Sequence, residues 1–366
     1  MKRMIFHAPS VVAGGGSAGS SIRPYRMLEA FKEAGYEVIE VTGRSEERRL
    51  KALDARRALA DGDVEFCYSE LSSSPIAMSE PRSAHVDPGV DFDLFAACRR
   101  SGVPVGAFYR DIYWRFPGFL TLRQLPYRAM LKLNYVRDLR RLERTVDILF
   151  LPSMRMGDYV PIVSPSKFRE LPPGAPVERI SEGEGVELFY VGSLGAFYDI
   201  TECLAAVGDA PGCGLTMCVP QDQWSRLRGD YEDLLSDRVA VVHGRGTELD
   251  PYFDRATIGV LAMRPIEYRS FAAPVKLFEY IGRGLPILAS ADTFVGDFVE
   301  RNGIGWAPRF DRAEIGAVLE RLISNPDEVE RAASRVREIR GDNTWRARAA
   351  QAASALQEAD GKGRTA

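Results

Sequence analysis

The chain has 366 residues, too many for one comfortable core and suited to two domains of ordinary size. Its apolar fraction of 45% and charged fraction of 27% exclude a disordered or fibrous chain. A formal net charge of −3 gives no global pull toward nucleic acid, which is not expected as a partner. Five cysteines (Cys67, Cys98, Cys203, Cys213, Cys218) show neither a CxxC pair nor metal spacing and read as reduced core thiols of a cytoplasmic protein. No apolar run approaches the roughly 18 residues that span a bilayer. The start, Met1-Lys2-Arg3 followed by MIFHAPSVVAGGG, is broken by His7 and Pro9, and reads as a strand entering a glycine loop rather than as a signal peptide.

Taken in order, Met4–Phe6 is expected as a strand, Ala13–Gly19 as a small-residue loop and Ser21–Ala34 as a helix stopped by Gly35. Strand Glu37–Val41, helix Ser45–Leu59, strand Val64–Cys67, helix Phe92–Arg100 and strand Pro104–Tyr109 follow. A long helix from Tyr127 to Arg144 carries apolar residues at helical spacing and leads into strand Ile148–Leu151. Proline, glycine and charge in Leu171–Gly185 mark an interdomain linker. The alternation then restarts with strand Val186–Val191, the loop Gly192–Gly195 and a helix from Asp199. Strands Leu215–Val219, Val239–His243 and Ile258–Ala262, helix Pro274–Arg283 and strand Pro286–Ser290 come next. Helices Ala313–Ile323, Pro326–Ile339 and Trp345–Leu356 close the chain. Strands alternating with helices imply right-handed crossovers and parallel sheets, so the expected class is α/β with two Rossmann-like halves. The expected domains are residues 1–172 with 344–360, and residues 175–343.

The most informative segment is AAPVKLFEYIGRGLPILAS, Ala272–Ser290. Pro274 is expected at the first helical position, and Gly284 ends the helix. A helix N-terminus offers unpaired N–H groups and the positive end of the dipole to a phosphate. Lys276 in that first turn is placed to pair with a diphosphate. Glu279, about 4.5 Å further along the axis on the same face, is placed to accept from sugar hydroxyls. The same spacing also describes an exposed ion pair worth a few tenths of a kcal/mol.

The run PVKLFEYIGRGLPILAS resembles the nucleotide-sugar-binding motif of glycosyltransferase family 4 and its relatives, and nearly all of the chain can be laid on that family's plan. Phe189–Gly195 (FYVGSLG) resembles the strand and loop that open the second domain, Leu171–Gly174 the turn before the linker, and His243–Tyr252 (HGRGTELDPY) the segment lining the nucleotide base. Trp345 resembles the aromatic of the last helix, which crosses back to the first domain. The resemblance implies a GT-B fold, two Rossmann-like domains facing each other across a cleft. It implies a nucleotide-diphosphate sugar, UDP- or GDP-linked, as co-substrate, with no cofactor and no metal. The donor-site positions it implies are Lys276, Glu279, Ser193, Leu194, Gly195, Gly244, Arg245, Pro274 and Val275. Two departures stand out. Many members carry a further glutamate eight residues before the ribose-binding one, where this chain has Phe271. Many also hold the diphosphate with an arginine and a lysine in the second-domain loop, where this chain has Ser193 and, nearby, Tyr198. Arg264, Arg269 and Arg245 are the candidate substitutes.

In the first domain, Gly14, Gly15, Gly16 and Gly19 follow the first strand. In a GT-B reading Gly15 and Gly16 approach the donor phosphates, with Ser17, Ser20 and Ser21 as polar contacts; a plain turn feeding a helix explains them as well. Asp111, after strand Pro104–Tyr109, is the candidate to orient or deprotonate the acceptor hydroxyl, against the alternative of a helix cap or a partner of Arg110 or Arg115. His7 and His85 are rival bases, more readily explained as structural. Asp91–Asp93 and Asp61–Asp63 have the DxD pattern of a metal site, but fit a helix-start charge complement and a polar turn.

Basic residues crowd Arg115–Arg144, and Trp114, Phe116, Phe119, Leu120 and Leu122 are concentrated near its start. Tyr127–Arg144 reads as a core helix with a solvated basic face, whereas Tyr113–Pro126 is expected to expose these aromatics to an apolar acceptor or an anionic membrane face. The reading as a whole is a transferase, retaining as most of the resembled family is, that acts in surface-glycan, polysaccharide or glycolipid biosynthesis. Its acceptor is a glycan or lipid-linked precursor, and its place is the cytoplasm or the inner membrane face. The rivals are a catalytically silent partner subunit, suggested by Phe271, and a nucleotide-sugar epimerase or phosphorylase.

Overall fold

A computed structural model describes residues 2–14, 19–80, 87, 89–116, 125–180 and 182–363. The chain divides into two compact units, Met1–Pro173 with Trp345–Ala366, and Gly174–Thr344. The first unit runs β1 (Arg3–Ala8), α1 (Gly19–Glu33), β2 (Glu37–Thr42), α2 (Ser45–Asp61), β3 (Val64–Glu70), α3 (Gly89–Arg100), β4 (Val105–Phe108), α4 (Leu125–Thr145), β5 (Ile148–Leu151) and β6 (Phe168–Glu170). Its six strands pair in parallel in the order β2-β1-β3-β4-β5-β6. Met4, Ile5 and Phe6 of β1 are buried in succession, as a strand covered on both faces requires.

The second unit runs β7 (Val186–Val191), α5 (Thr201–Asp209), β8 (Cys213–Cys218), α6 (Gln221–Leu227), β9 (Val239–Val242), α7 (Asp250–Phe253) and β10 (Ile258–Leu261). It continues through α8 (Val275–Gly282), β11 (Ile287–Ala289), α9 (Phe294–Asn302), β12 (Gly305–Trp306), α10 (Arg312–Ser324) and α11 (Pro326–Ile339). Its strands are again parallel, in the order β12-β11-β10-β7-β8-β9. In each sheet the chain leaves its first strand to one side and returns on the other. The reversal falls between β1 and β3 in the first sheet and between β7 and β10 in the second. Sheets of this kind bind ligands beyond the strand ends at such points.

The last helix, α12 (Trp345–Gly363), belongs to the first unit, where Ala349, Ala352 and Leu356 are buried with Met27, Phe31 and Phe150. The segment expected as a linker is not uniform. Leu171–Ala175 is buried, and its carbonyls are held by arginines: Arg23 donates to Pro172 O at 3.2 Å and Arg348 to Pro173 O at 3.0 Å. Five elements were not marked in the sequence: β6, α6, α7, α9 and β12. β6 and β12 are only three and two residues long, too short for any periodic signal. No helix among the described residues is long and apolar enough to cross a membrane.

Candidate functional site

The geometry of the second unit is set by α8. Leu277, Phe278, Tyr280 and Ile281 are buried, giving the helix a wide apolar face. Pro274 has φ −75° and ψ 142°, an extended cap, so the helix starts at Val275, one residue later than expected. At the other end Gly284 takes φ +77°, its N–H bonds Ile281 O at 3.0 Å, and Leu285 N–H bonds Tyr280 O at 3.0 Å. This is a Schellman closure, in which glycine carries no Cβ penalty. The Tyr280 ring lies on Gly259 of β10, where a Cβ would come within 2.5 Å of it. The Tyr280 hydroxyl donates to Phe189 O at 3.0 Å and accepts from Val191 N–H at 3.2 Å. The helix is thus fastened to the C-terminal end of β7, and its polar face is carried to the edge of the sheet.

That face holds Lys276 and Glu279, both partly exposed, with Nζ to Oε2 at 2.5 Å. The two pair with each other, as the ion-pair alternative anticipated. The Lys276 charge acts on the Cys218 thiol at the end of β8; burial pushes that thiol up, and Lys276 and a Gly244 contact partly oppose the shift. Cys218 Sγ lies 3.8 Å from Gly244 O. Cys218, Gly244 and Lys276 therefore gather where β8 and β9 end. Arg245 is exposed, and its backbone N–H donates to Glu248 Oε2 at 2.8 Å. His243 Nδ1 is 2.8 Å from Val219 O.

The loop after β7 is tied down by backbone contacts. Gln223 clamps Leu194, accepting from its N–H and donating to its carbonyl, both at 2.9 Å. Gly195 N–H donates to the Tyr231 hydroxyl at 3.1 Å, and the Tyr190 hydroxyl donates to Ser193 O. Gln223, Tyr231 and Tyr280 were not singled out in the sequence. They act from other elements, and no local pattern announces such supports.

The three candidate arginines differ. Arg264 pairs with Asp199 at 2.6 Å, and Asp199 in turn caps Thr201 at 3.0 Å. Arg245 reaches solvent. Arg269 is half-buried, donates to Phe197 O and lies 5.4 Å from the Tyr198 ring centroid. Phe271 is 1% exposed and meets Tyr268 edge-on at 5.1 Å, so it stands in the core and offers no group to a sugar.

In the first unit, Asp111 Oδ1 accepts from Ile112 N–H at 2.7 Å and Tyr113 N–H at 3.0 Å, capping a short turn as well as lying beyond the end of β4. His7 is fully buried, with Nδ1 2.8 Å from Ser69 Oγ and Nε2 2.6 Å from Asp91 Oδ1. Arg48 forks onto Asp91 at 2.7 and 3.0 Å and onto Gly43 O at 2.7 Å. Asp91 lies in the first turn of α3, as the helix-start reading expected, and is also the centre of a buried network. Asp61 and Asp63 flank Gly62, the left-handed cap of α2. No cluster of three metal-ligating side chains occurs among the described residues. A second cluster, unmarked in the sequence, joins Glu70 Oε1 to Arg23 at 2.9 Å and to the Tyr68 hydroxyl at 2.6 Å, with Arg110 3.5 Å from Oε2.

Gly15, Gly16, Ser17, His85, Phe119, Leu120 and Leu122 lie outside the described residues, and Ser20 and Ser21 fall in the first turn of α1. The expectation that Trp114 and Phe116 stand exposed is corrected. Trp114 is half-buried, stacks on Tyr135 of α4 at 5.0 Å and 11°, and donates to the Tyr109 hydroxyl at 3.0 Å. Phe116 packs on Tyr159 at 5.3 Å. The aromatics satisfy one another inside their own unit.

Two parallel six-stranded sheets with alternating helices define the GT-B class of fold, and comparison with solved structures agrees. Similar structures include sucrose-phosphate synthase from Thermosynechococcus elongatus, with TM-score 0.61 and 15% identity over 97% of this chain and 98% of that one. WaaG, a glycosyltransferase involved in lipopolysaccharide biosynthesis, gives TM-score 0.61 and 15% identity over 96% and 99%. An α,α-trehalose-phosphate synthase (UDP-forming) from Burkholderia vietnamiensis gives 0.57 and 13% over 98% of each chain. No family model and no curated protein matches the sequence.

Proposed function

We propose that the chain is a glycosyltransferase that moves a sugar from a UDP- or GDP-linked donor to an acceptor hydroxyl. The observation that carries this reading is the placement of Lys276 and Glu279 on one face of the first two turns of α8, with Lys276 acting at the end of β8. In the reaction the bond from the anomeric carbon to the diphosphate oxygen breaks and its electron pair leaves with the diphosphate. A bond to the acceptor oxygen forms, and the hydroxyl proton goes to a base, for which Asp111 is the candidate. Lys276 and the amides of α8 offset charge on the leaving diphosphate. Glu279 accepts from the ribose hydroxyls once donor binding opens its pair with Lys276. The transfer is retaining and independent of metal in this reading.

The acceptor is a glycan or lipid-linked precursor in surface-glycan or glycolipid biosynthesis, a reading supported by the involvement of WaaG in lipopolysaccharide biosynthesis. Action at the inner membrane face is supported by α4 rather than by Trp114. Met130, Leu133, Arg137, Arg140 and Arg144 follow helical spacing along one exposed face of α4, two apolar side chains leading three cationic ones. Such a face suits an anionic bilayer surface.

The test is turnover of a panel of UDP- and GDP-sugars in excess chelator, with membrane extract as acceptor source, followed by release of nucleoside diphosphate and by NMR of the product anomer. Diphosphate release that persists in chelator, with retained configuration, is expected. Conversion of the donor to an epimer or a sugar 1-phosphate would assign the chain to the epimerase or phosphorylase reading. Binding without any turnover would favour the silent subunit, which the buried Phe271 supports.

A further inference from the structure

Five cationic side chains lie near α8 and the ends of β7, β8 and β9; Arg245 is exposed, and three of the other four are neutralised. Lys276 pairs with Glu279 at 2.5 Å, Arg264 with Asp199 at 2.6 Å and Arg283 with Asp250 at 2.5 Å. Arg269 is the exception. Among the described residues no carboxylate pairs with it, and the titratable groups acting on it are the phenols of Tyr190, Tyr198 and Tyr268. Burial pulls its pKa down. A desolvated charge without a counter-ion is costly, and protein interiors pair such charges or hold them for a ligand.

Its position is as informative as its charge. Arg269 donates to Phe197 O in the loop after β7, the loop at the reversal point of this sheet. That loop is already fixed by Gln223, Tyr231 and Tyr190, so the guanidinium is held against a rigid support. β7 and β8 are hydrogen-bonded neighbours whose ends lie about 4.8 Å apart. Arg269 stands at the loop after β7 and Lys276 acts at the end of β8, so the two cations serve neighbouring strands. A guanidinium fork matches phosphate oxygens better than a point charge does.

We propose that Arg269 is a phosphate receptor of the donor site, binding the diphosphate of the nucleotide from the segment that precedes α8. This rests on the glycosyltransferase reading and selects one arginine of the three that the sequence offered. Donor binding supplies the counter-ion that Arg269 lacks.

The test titrates wild type, Arg269→Gln, Arg269→Lys and Arg264→Gln with UDP and GDP, and with uridine and guanosine, by NMR. Gln keeps an N–H for Phe197 O while removing the charge. Arg269→Gln is expected to weaken the better-binding diphosphate on the order of tenfold to a hundredfold and to leave its nucleoside within about threefold. Arg269→Lys should recover part of the loss. Arg264→Gln, which loosens the same loop through Asp199, should leave the ratio of diphosphate to nucleoside affinity unchanged. Unaltered diphosphate binding in Arg269→Gln, or equal loss of nucleoside, would overturn the assignment while leaving the glycosyltransferase reading intact. Failure of the wild type to bind either diphosphate would instead bring down the function reading, and this inference with it.

Discussion

The two units treat their charges in opposite ways. Around β1 and α3 of the first, His7, Asp91 and Arg48 are fully buried and answer one another within 3.0 Å. At the edge of the second, Lys276 and Glu279 keep contact with solvent, and Arg269 has no counter-ion among the described residues. A histidine and an aspartate at hydrogen-bonding distance look like catalytic apparatus, yet here they are closed to any substrate. Reach and incomplete pairing, rather than the presence of reactive side chains, distinguish the candidate site from the buried frame.

The largest effect is expected from breaking the buried network. Asp91→Ala strips the buried Arg48 of its two shortest carboxylate bonds, leaving only Glu80 at 3.2 Å, and removes the acceptor of His7, which costs about 3 kcal/mol. Thermal unfolding should show a fall in Tm, while nucleotide affinity of the fraction that remains folded is unchanged. Burial pushes the Asp91 carboxyl up, but His7 and Arg48 together overcome this and hold it below the usual carboxylate range. A lowered carboxyl stabilises the fold above its unfolded pKa of about 3.9, and that contribution is lost as pH falls through the folded value. Wild type should therefore lose stability below about pH 4 more steeply than Asp91→Ala. A variant that kept its Tm but lost nucleotide binding would erase the distinction between frame and site.

A smaller effect is expected on the exposed face of α4. Each cationic side chain near an anionic bilayer contributes about 1 kcal/mol. Reversal of two, Arg137→Glu with Arg140→Glu, should lower binding to phosphatidylglycerol vesicles by tenfold or more, since the changes add repulsion as well as removing attraction. Tm and donor turnover should hardly move, because both side chains are exposed. Unaltered vesicle binding would remove the membrane from the account.

Most of the architecture was legible because long strands and helices carry strong periods. Val186–Val191 and Pro326–Ile339 were read to the residue, while β12, two residues long, offered nothing to read. That Lys276 and Glu279 share one face near the start of α8 was legible because helical spacing fixes which residues are neighbours. The supports around them were not. Gln223 reaches Leu194 across 29 positions and Tyr280 reaches Phe189 across 91, and contacts at such separations leave no local pattern. The aromatic stretch after Asp111 failed for a related reason. Its proline and glycine content indicated an irregular segment, but the partner that covers Trp114, Tyr135, sits on a helix 21 residues on.

The most direct test is calorimetric titration of UDP and GDP into wild type, Lys276→Ala and Glu279→Gln. One diphosphate should bind the wild type, and each variant should lose on the order of tenfold to a hundredfold in affinity at unchanged Tm, the size of one charged hydrogen bond. Equal affinity in all three proteins would contradict the placement of the donor site on α8.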